Sequence, residues 1–126
     1  MAKRQNVIAI IDDDAGMRGG LEKLLGSFGY RTELYSSAEE FVRSAIMTEA
    51  GCLLIDIQLG DISGVELARQ LSATGFVFPI VFMTASWEET HRRQAMDFGC
   101  VGYLNKPFHA DQLIRAVTKA IGGTSD

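Results

Sequence analysis

The sequence predicts an α/β fold, a doubly wound five-stranded parallel sheet with helices on both faces. Three observations carry that prediction. Five short apolar runs alternate with five amphipathic stretches along the 126 residues, the order that a parallel sheet with crossover helices requires. The first and third runs, Val7–Ile11 and residues 52–55, are continuously apolar, as strands buried on both faces are. No repeat, low-complexity segment or internal linker interrupts the alternation, and right-handed crossovers then leave few topologies.

Each element has its own signal. After the first strand, Met17, Leu21, Leu24, Leu25 and Phe28 recur at helical spacing, and Gly29 closes that helix. Arg31–Tyr35 reads as a short second strand. Ser37 can N-cap a helix with Phe41, Val42, Ala45 and Ile46 on one stripe. The strand at 52–55 follows, and Leu67, Ala68 and Leu71 mark the next helix. Residues 77–83 read as a strand with Pro79 at its entry. Ser86 can cap a helix begun by Trp87 and carrying His91, Ala95 and Phe98, with Gly99 at its end. Residues 101–104 form the last strand, and Ala110, Leu113, Ile114, Val117 and Ile121 the last helical stripe. The expectation is one domain over 1–126, with its core at about 6–121 and a frayed tail or linker stub at 122–126.

Composition narrows the class. A net charge of −4 does not advertise a nucleic-acid surface, so no direct nucleic-acid binding is expected. No apolar run approaches the roughly 20 residues of a membrane span, and the N-terminus lacks the apolar middle of a signal peptide. A cytoplasmic location is the expectation. Cys52 and Cys100 lack metal-ligand spacing and read as buried free thiols in a reducing compartment.

Open α/β sheets build their sites at the carboxyl ends of the strands. The first strand delivers Asp12, Asp13 and Asp14 there, the third Asp56, the fourth Thr84 and the fifth Lys106. Two carboxylates about 5 Å apart repel by roughly 3 kcal/mol at an effective dielectric near 20. Lys106 supplies one unit of counter-charge, and a hard divalent cation such as Mg²⁺ supplies the rest. An aspartate beside Mg²⁺ can act as a nucleophile toward a phosphoryl group, with Lys106 and the Thr84 hydroxyl on the equatorial oxygens. A lone acidic residue after a strand is more often a helix cap, and Asp14 reads as one. Thr84 alone is as easily an ordinary strand residue, and Lys106 alone a solvated loop lysine. Matching chemistry at four strand ends together is the stronger signal.

The stretches IIDDDAGMR, LLIDIQLGDISGVELA, VFMTAS and GYLNKPF, in that order, resemble the receiver domain of two-component response regulators over about residues 7–121. The resemblance implies a flavodoxin-like fold with strand order 2-1-3-4-5. It implies Asp56 as phosphoacceptor, Asp13 as direct Mg²⁺ ligand, Asp12 acting through water, and the backbone carbonyl of Gln58 as a further ligand. Thr84 and Tyr103 match the switch hydroxyl and aromatic, and Lys106 the phosphate-pairing lysine. Pro107 implies a cis Lys106–Pro107 bond, and Gly64 matches the glycine that starts the third helix. Gln58 and Ser86 match positions that tune rates. Gly60 stands where the family usually has proline, which frees the loop after Asp56.

The implied function is a signalling switch rather than an enzyme. A histidine kinase or phosphotransfer protein would phosphorylate Asp56. The face made by the fourth helix, last strand and last helix, with His91, Arg92, Asp111, Arg115 and Lys119, would then meet an output domain or partner, or form a homodimer. The output resembles transcriptional control. A haloacid-dehalogenase-like phosphatase is the minor alternative, because Asp12 and Asp14 supply D-x-D. Ala15 and Gly16 do not fit that motif, and the chain has no length for a cap domain. A flavin module would need a Thr/Gly-rich phosphate loop after the first strand.

Overall fold

Uninterrupted apolar runs make the middle of the sheet. In the computed structural model, which describes residues 6–85, 93–98 and 100–122, strands β1 (Val7–Ile11), β3 (Cys52–Asp56) and β4 (Ile80–Thr84) are buried along their whole length. The mixed sequences of β2 (Arg31–Tyr35) and β5 (Cys100–Asn105) lie at the two edges. The order is β2-β1-β3-β4-β5 with every neighbouring pair parallel. This is the predicted doubly wound, flavodoxin-like topology.

Period-two alternation splits the core into two layers. On one face Ile8, Ile10, Leu54, Val81 and Met83 pack with Leu21 and Leu25 of α1 (Ala15–Ser27) and with Leu113 and Val117 of the C-terminal helix (Ala110–Gly122). On the other, Ile11, Leu53, Ile55 and Phe82 pack with Phe41 of α2 (Ala38–Ser44) and with Leu67 and Leu71 of α3 (Gly64–Ala73). Each fully buried side chain of this size stabilises the fold by about 1.5–3 kcal/mol. Phe41 anchors its layer through edge-to-face contacts with Tyr35 at 5.1 Å and Phe78 at 5.9 Å.

Local chemistry sets where the helices start and stop. Asp14, Ser37 and Ser63 each accept a hydrogen bond from the backbone N–H three residues on, capping α1, α2 and α3. Gly29 and Gly75, at φ 93° and 90°, end α1 and α3. In both ends the next residue donates back to a leucine carbonyl, Tyr30 to Leu25 and Phe76 to Leu71, the double-bonded glycine stop.

The structure corrects several sequence expectations. Strand β4 begins at Ile80 rather than residue 77 and runs through Thr84, and Val77 is 92% exposed. Proline lacks the N–H that a central strand needs, so pairing starts after Pro79. Helix α2 stops at Ser44, and its buried face is Ala38, Phe41 and Ala45, leaving Val42 and Ile46 in solvent. Phe28 is exposed because it is the C-cap residue of α1, past the point where the helix faces the sheet. Ala110 is exposed, and Ala120 takes its place on the buried stripe of the C-terminal helix. Both cysteines are free; Cys52 is buried, with burial pushing its thiol up to about 12, but Cys100, expected to be buried as well, is only half-buried because it opens the edge strand β5. Among the described residues, no helix is long and apolar enough to cross a membrane.

Candidate functional site

The carboxyl ends of β1, β3, β4 and β5 carry the charged and polar groups. Among the described residues, the buried polar side chains are Asp12, Asp56 and Thr84. All three sit where the strands give way to loops. Burying a carboxylate is costly unless it is paired, and the partner comes from the residue just after β5. Lys106 Nζ donates to Asp12 Oδ2 at 3.1 Å and to Asp56 Oδ2 at 3.0 Å, with its side chain 15% exposed. Asp13 is exposed beside them, and Asp12, Asp13 and Asp56 offer carboxylate oxygens that all lie within 4.8 Å of one another. Three acidic groups therefore lie together with one ammonium, which pairs with two of them, Asp12 and Asp56. A cluster of this kind suits a hard, oxygen-loving cation.

Hydrogen bonds fix each carboxylate. Asp12 Oδ1 accepts from the Asp14 N–H at 2.9 Å, so both its oxygens are engaged. Asp56 Oδ1 accepts from the Gln58 N–H at 2.9 Å. Burial raises the Asp56 carboxyl above its ordinary value, against the opposing pull of the Gln58 N–H and Lys106, and the Asp12 charge adds to the rise. For Lys106, burial acts to lower the ammonium, but its hydrogen bond to Asp56 and the charges of Asp56 and Asp12 leave it above its ordinary value.

Backbone pairing places the rest. Thr84 is the last residue of β4, fully buried, and its carbonyl accepts from the Lys106 N–H at 2.7 Å. This bond ties the Lys106 loop to the end of β4, and the Lys106–Pro107 peptide that follows is cis. Tyr103 pairs with Phe82 in the β4–β5 register and is half-buried, packed against the core layer shared by α2 and α3. Gly64 sits where a Cβ would come within 2.5 Å of the Asp56 carbonyl oxygen and 2.7 Å of Ile55 Cγ2. Only glycine lets α3 start this close to the end of β3. Asp14 serves as the cap of α1, as its bland reading had it. Gln58 and Gly60 are exposed on the loop after β3.

Other expectations are separated from this cluster or lie beyond description. Asp111, Arg115 and Lys119 are exposed on the C-terminal helix, with Arg115 and Asp111 paired at 3.5 Å. Ser86, Trp87, His91, Arg92 and Gly99 lie outside the described residues.

Two residues at the site escaped the sequence reading. Arg18 donates from its guanidinium to the Asp12 carbonyl at 2.7 Å, stapling the first turn of α1 to the end of β1. Its position inside the stretch IIDDDAGMR was a usable signal. Asp61 accepts from the N–H groups of Ala38 and Glu39, on a helix 22 to 23 residues away. No local pattern shows such a contact.

Comparison with known proteins agrees with this fold. The family model for the response regulator receiver domain matches residues 8–118. The response regulator protein TodT of Pseudomonas putida is 32% identical over 121 residues, covering 96% of this chain and 53% of TodT. The transcriptional regulatory protein FixJ of Bradyrhizobium diazoefficiens is 35% identical over 114 residues, covering 90% of this chain and 56% of FixJ. The chain thus spans about half the length of the curated relatives it matches. The crystal structure of FixJ-N superposes with a TM-score of 0.86 at 28% identity, covering 95% of this chain and 96% of that one. The haloacid-dehalogenase alternative finds no support in these matches. With the sheet order, the convergent strand ends and a family match over most of its length, the chain belongs to the response regulator receiver domains of two-component signalling.

Proposed function

We propose that this receiver domain takes a phosphoryl group onto Asp56, with Mg²⁺ bound, and passes the event to the face containing β5 and the C-terminal helix. The observation that carries the reading is the Lys106 ammonium bridging Asp12 and Asp56, with Asp13 close enough to share a cation. The donor is a histidine kinase or phosphotransfer protein. A carboxylate oxygen of Asp56 forms the new P–O bond as the P–N bond to the donor imidazole breaks, and the departing nitrogen takes up a proton. Mg²⁺ would be held by Asp13, Asp56 and the Gln58 carbonyl, and supplies positive charge to the phosphoryl oxygens. Asp12 suits a role through water, because both its oxygens are already engaged.

Lys106 does two things. It opposes the rise that burial imposes on the Asp56 carboxyl, and so favours the ionised, nucleophilic form, and it offers an N–H donor to the phosphoryl group once that arrives. Thr84 at the end of β4 supplies a hydroxyl to the same oxygens. Closing that charge-assisted bond biases a two-state equilibrium of the β4 end, with Tyr103 as the packed aromatic that reports it to β5. Asp111, Arg115 and Lys119 give the receiving face mixed charge, suited to a salt-sensitive homodimer or to an output domain or partner. Transcriptional control is the output this reading favours, by likeness to FixJ, a transcriptional regulatory protein. The setting is cytoplasmic.

Intact-mass measurement with a small phosphodonor and Mg²⁺ tests the site. The expected result is one added phosphoryl group in the wild type and none in Asp56→Asn, because an amide is a poor nucleophile. Uptake at a normal rate in Asp56→Asn, or a phosphoryl group mapped to Asp12, would overturn the assignment.

A further inference from the structure

We infer that Asp61 is a positioning residue for the phosphoryl site: its carboxylate ties the loop after β3 to the start of α2, and so holds the backbone of residues 58–60 beside Asp56 and Asp13. The inference rests on Asp56 being the phosphoacceptor. Asp61 Oδ1 accepts from the Ala38 N–H at 3.3 Å and Oδ2 from the Glu39 N–H at 3.0 Å. Ser37 Oγ accepts from the Glu40 N–H at 3.1 Å. The three opening amides of α2 are thus all satisfied, two of them by a residue from another loop. These are charge-assisted bonds at the positive end of a helix. Slight burial works against ionisation of Asp61, but the backbone donors outweigh it and hold its carboxyl below the usual range. The anchor itself is firm, since Ala38 and Phe41 bury α2 against the sheet.

The tie matters because of what adjoins it. The loop is pinned at its ends by Gln58 N–H to Asp56 Oδ1 at 2.9 Å and by Gly64 N–H to the Ile57 carbonyl at 2.7 Å. Gly60 lies between those pins, and glycine loosens the backbone. A Cβ built on Gly60 would sit 3.4 Å from Asp13 Oδ2, so the position of residue 60 helps set the gap between the acidic pair and the loop. Asp61, the next residue, removes the freedom that Gly60 introduces. An untied loop would populate the metal-competent arrangement for a smaller fraction of the time, and apparent affinity falls by that fraction.

The test compares the intact chain with Asp61→Ala, Asp61→Asn and the double variant Gly60→Pro/Asp61→Ala. It reads Mg²⁺ affinity, phosphoryl uptake from acetyl phosphate, and amide exchange at Ala38 and Glu39. Asp61→Ala should weaken Mg²⁺ binding and slow uptake about threefold to tenfold, with faster exchange at both amides. Asp61→Asn, which keeps one acceptor oxygen, should fall between. In the double variant proline stiffens the loop by another route, so Mg²⁺ binding and uptake should return to within about twofold of wild type. The two amides should stay unprotected, because their acceptor is still missing. That split separates positioning of the site from simple capping of α2. Unchanged Mg²⁺ affinity and uptake in Asp61→Ala would overturn the inference, and so would a double variant as impaired as the single one. A wild type that takes up no phosphoryl group would instead overturn the Asp56 reading, and the Mg²⁺ affinities would still judge Asp61.

Discussion

The two ends of the sheet depart from ordinary burial in opposite ways. At the carboxyl end, Asp12, Asp56 and Thr84 are polar and 0%, 6% and 0% exposed. At the amino end, Ile46, Met47 and Val77 are apolar and 82%, 80% and 92% exposed. The departures are not equally informative. An exposed aliphatic side chain costs little, since much of any protein surface is apolar. A buried carboxylate costs several kcal/mol unless an opposite charge reaches it. The first kind is tolerated anywhere. The second survives only where the fold delivers a partner, here Lys106 from the end of β5. The contrast therefore favours the carboxyl end as the place of the proposed site.

Removing the partner should break that contrast most severely. Lys106→Met leaves Asp12 and Asp56 buried without a cation, and should cost about 3 kcal/mol of stability at neutral pH in the absence of Mg²⁺, measured by urea unfolding. Added Mg²⁺ should recover part of the loss. The pH dependence has a definite sign. Lys106 is raised in the folded state, so its contribution is complete below its unfolded value of 10.5 and is lost as pH climbs through the raised value. Asp56 is also raised, so its burial penalty is present above its folded value and is relieved on acidification. The gap between Lys106→Met and wild type should therefore narrow as pH falls toward the carboxylate range. A gap that widened would mean that Asp56 is not the group left unpaired.

Next in size is Gly64→Ala. Its Cβ meets backbone rather than a flexible side chain, at the Asp56 carbonyl. Overpacking of this kind costs about 1–3 kcal/mol, and the shift should also slow phosphoryl uptake. An unchanged unfolding midpoint would show that α3 can retreat freely from β3. Asp13→Ala sharpens the comparison from the metal side. This exposed carboxylate is the one not engaged by Lys106, so its loss should leave the fold intact and weaken Mg²⁺ about tenfold or more, read through the fluorescence of the single tryptophan, Trp87. Ile46→Gln and Val77→Thr, at the amino end, should each change stability by less than about 0.5 kcal/mol. A larger loss there would show that the exposed apolar side chains are not idle.

Much of this molecule was legible in the residues themselves. Val7–Ile11 and Arg31–Tyr35 emerge with the predicted bounds, because a β-branched run and a turn-flanked segment leave a short stretch few alternatives. Asp14 and Ser37 declare themselves as caps by sequence distance alone, since the amides they satisfy lie three residues on. Asp12, Asp13, Asp56, Thr84 and Lys106 could be nominated together because each follows an apolar run, and a parallel sheet brings such ends to one edge. Tertiary structure alone decided which side of a helix counts as inside. Val42 and Ile46 keep helical spacing with each other, yet α2 presents Phe41 and Ala45 to the sheet and ends before Ile46. It also decided the sharing of charge. One ammonium on two carboxylates and an Asp61 tie to α2 join residues between 22 and 94 positions apart. Sequence periodicity records which face a residue can occupy, because backbone geometry repeats locally. It carries no record of which distant donor will stand opposite a given acceptor, because that distance is fixed only when the two core layers have packed.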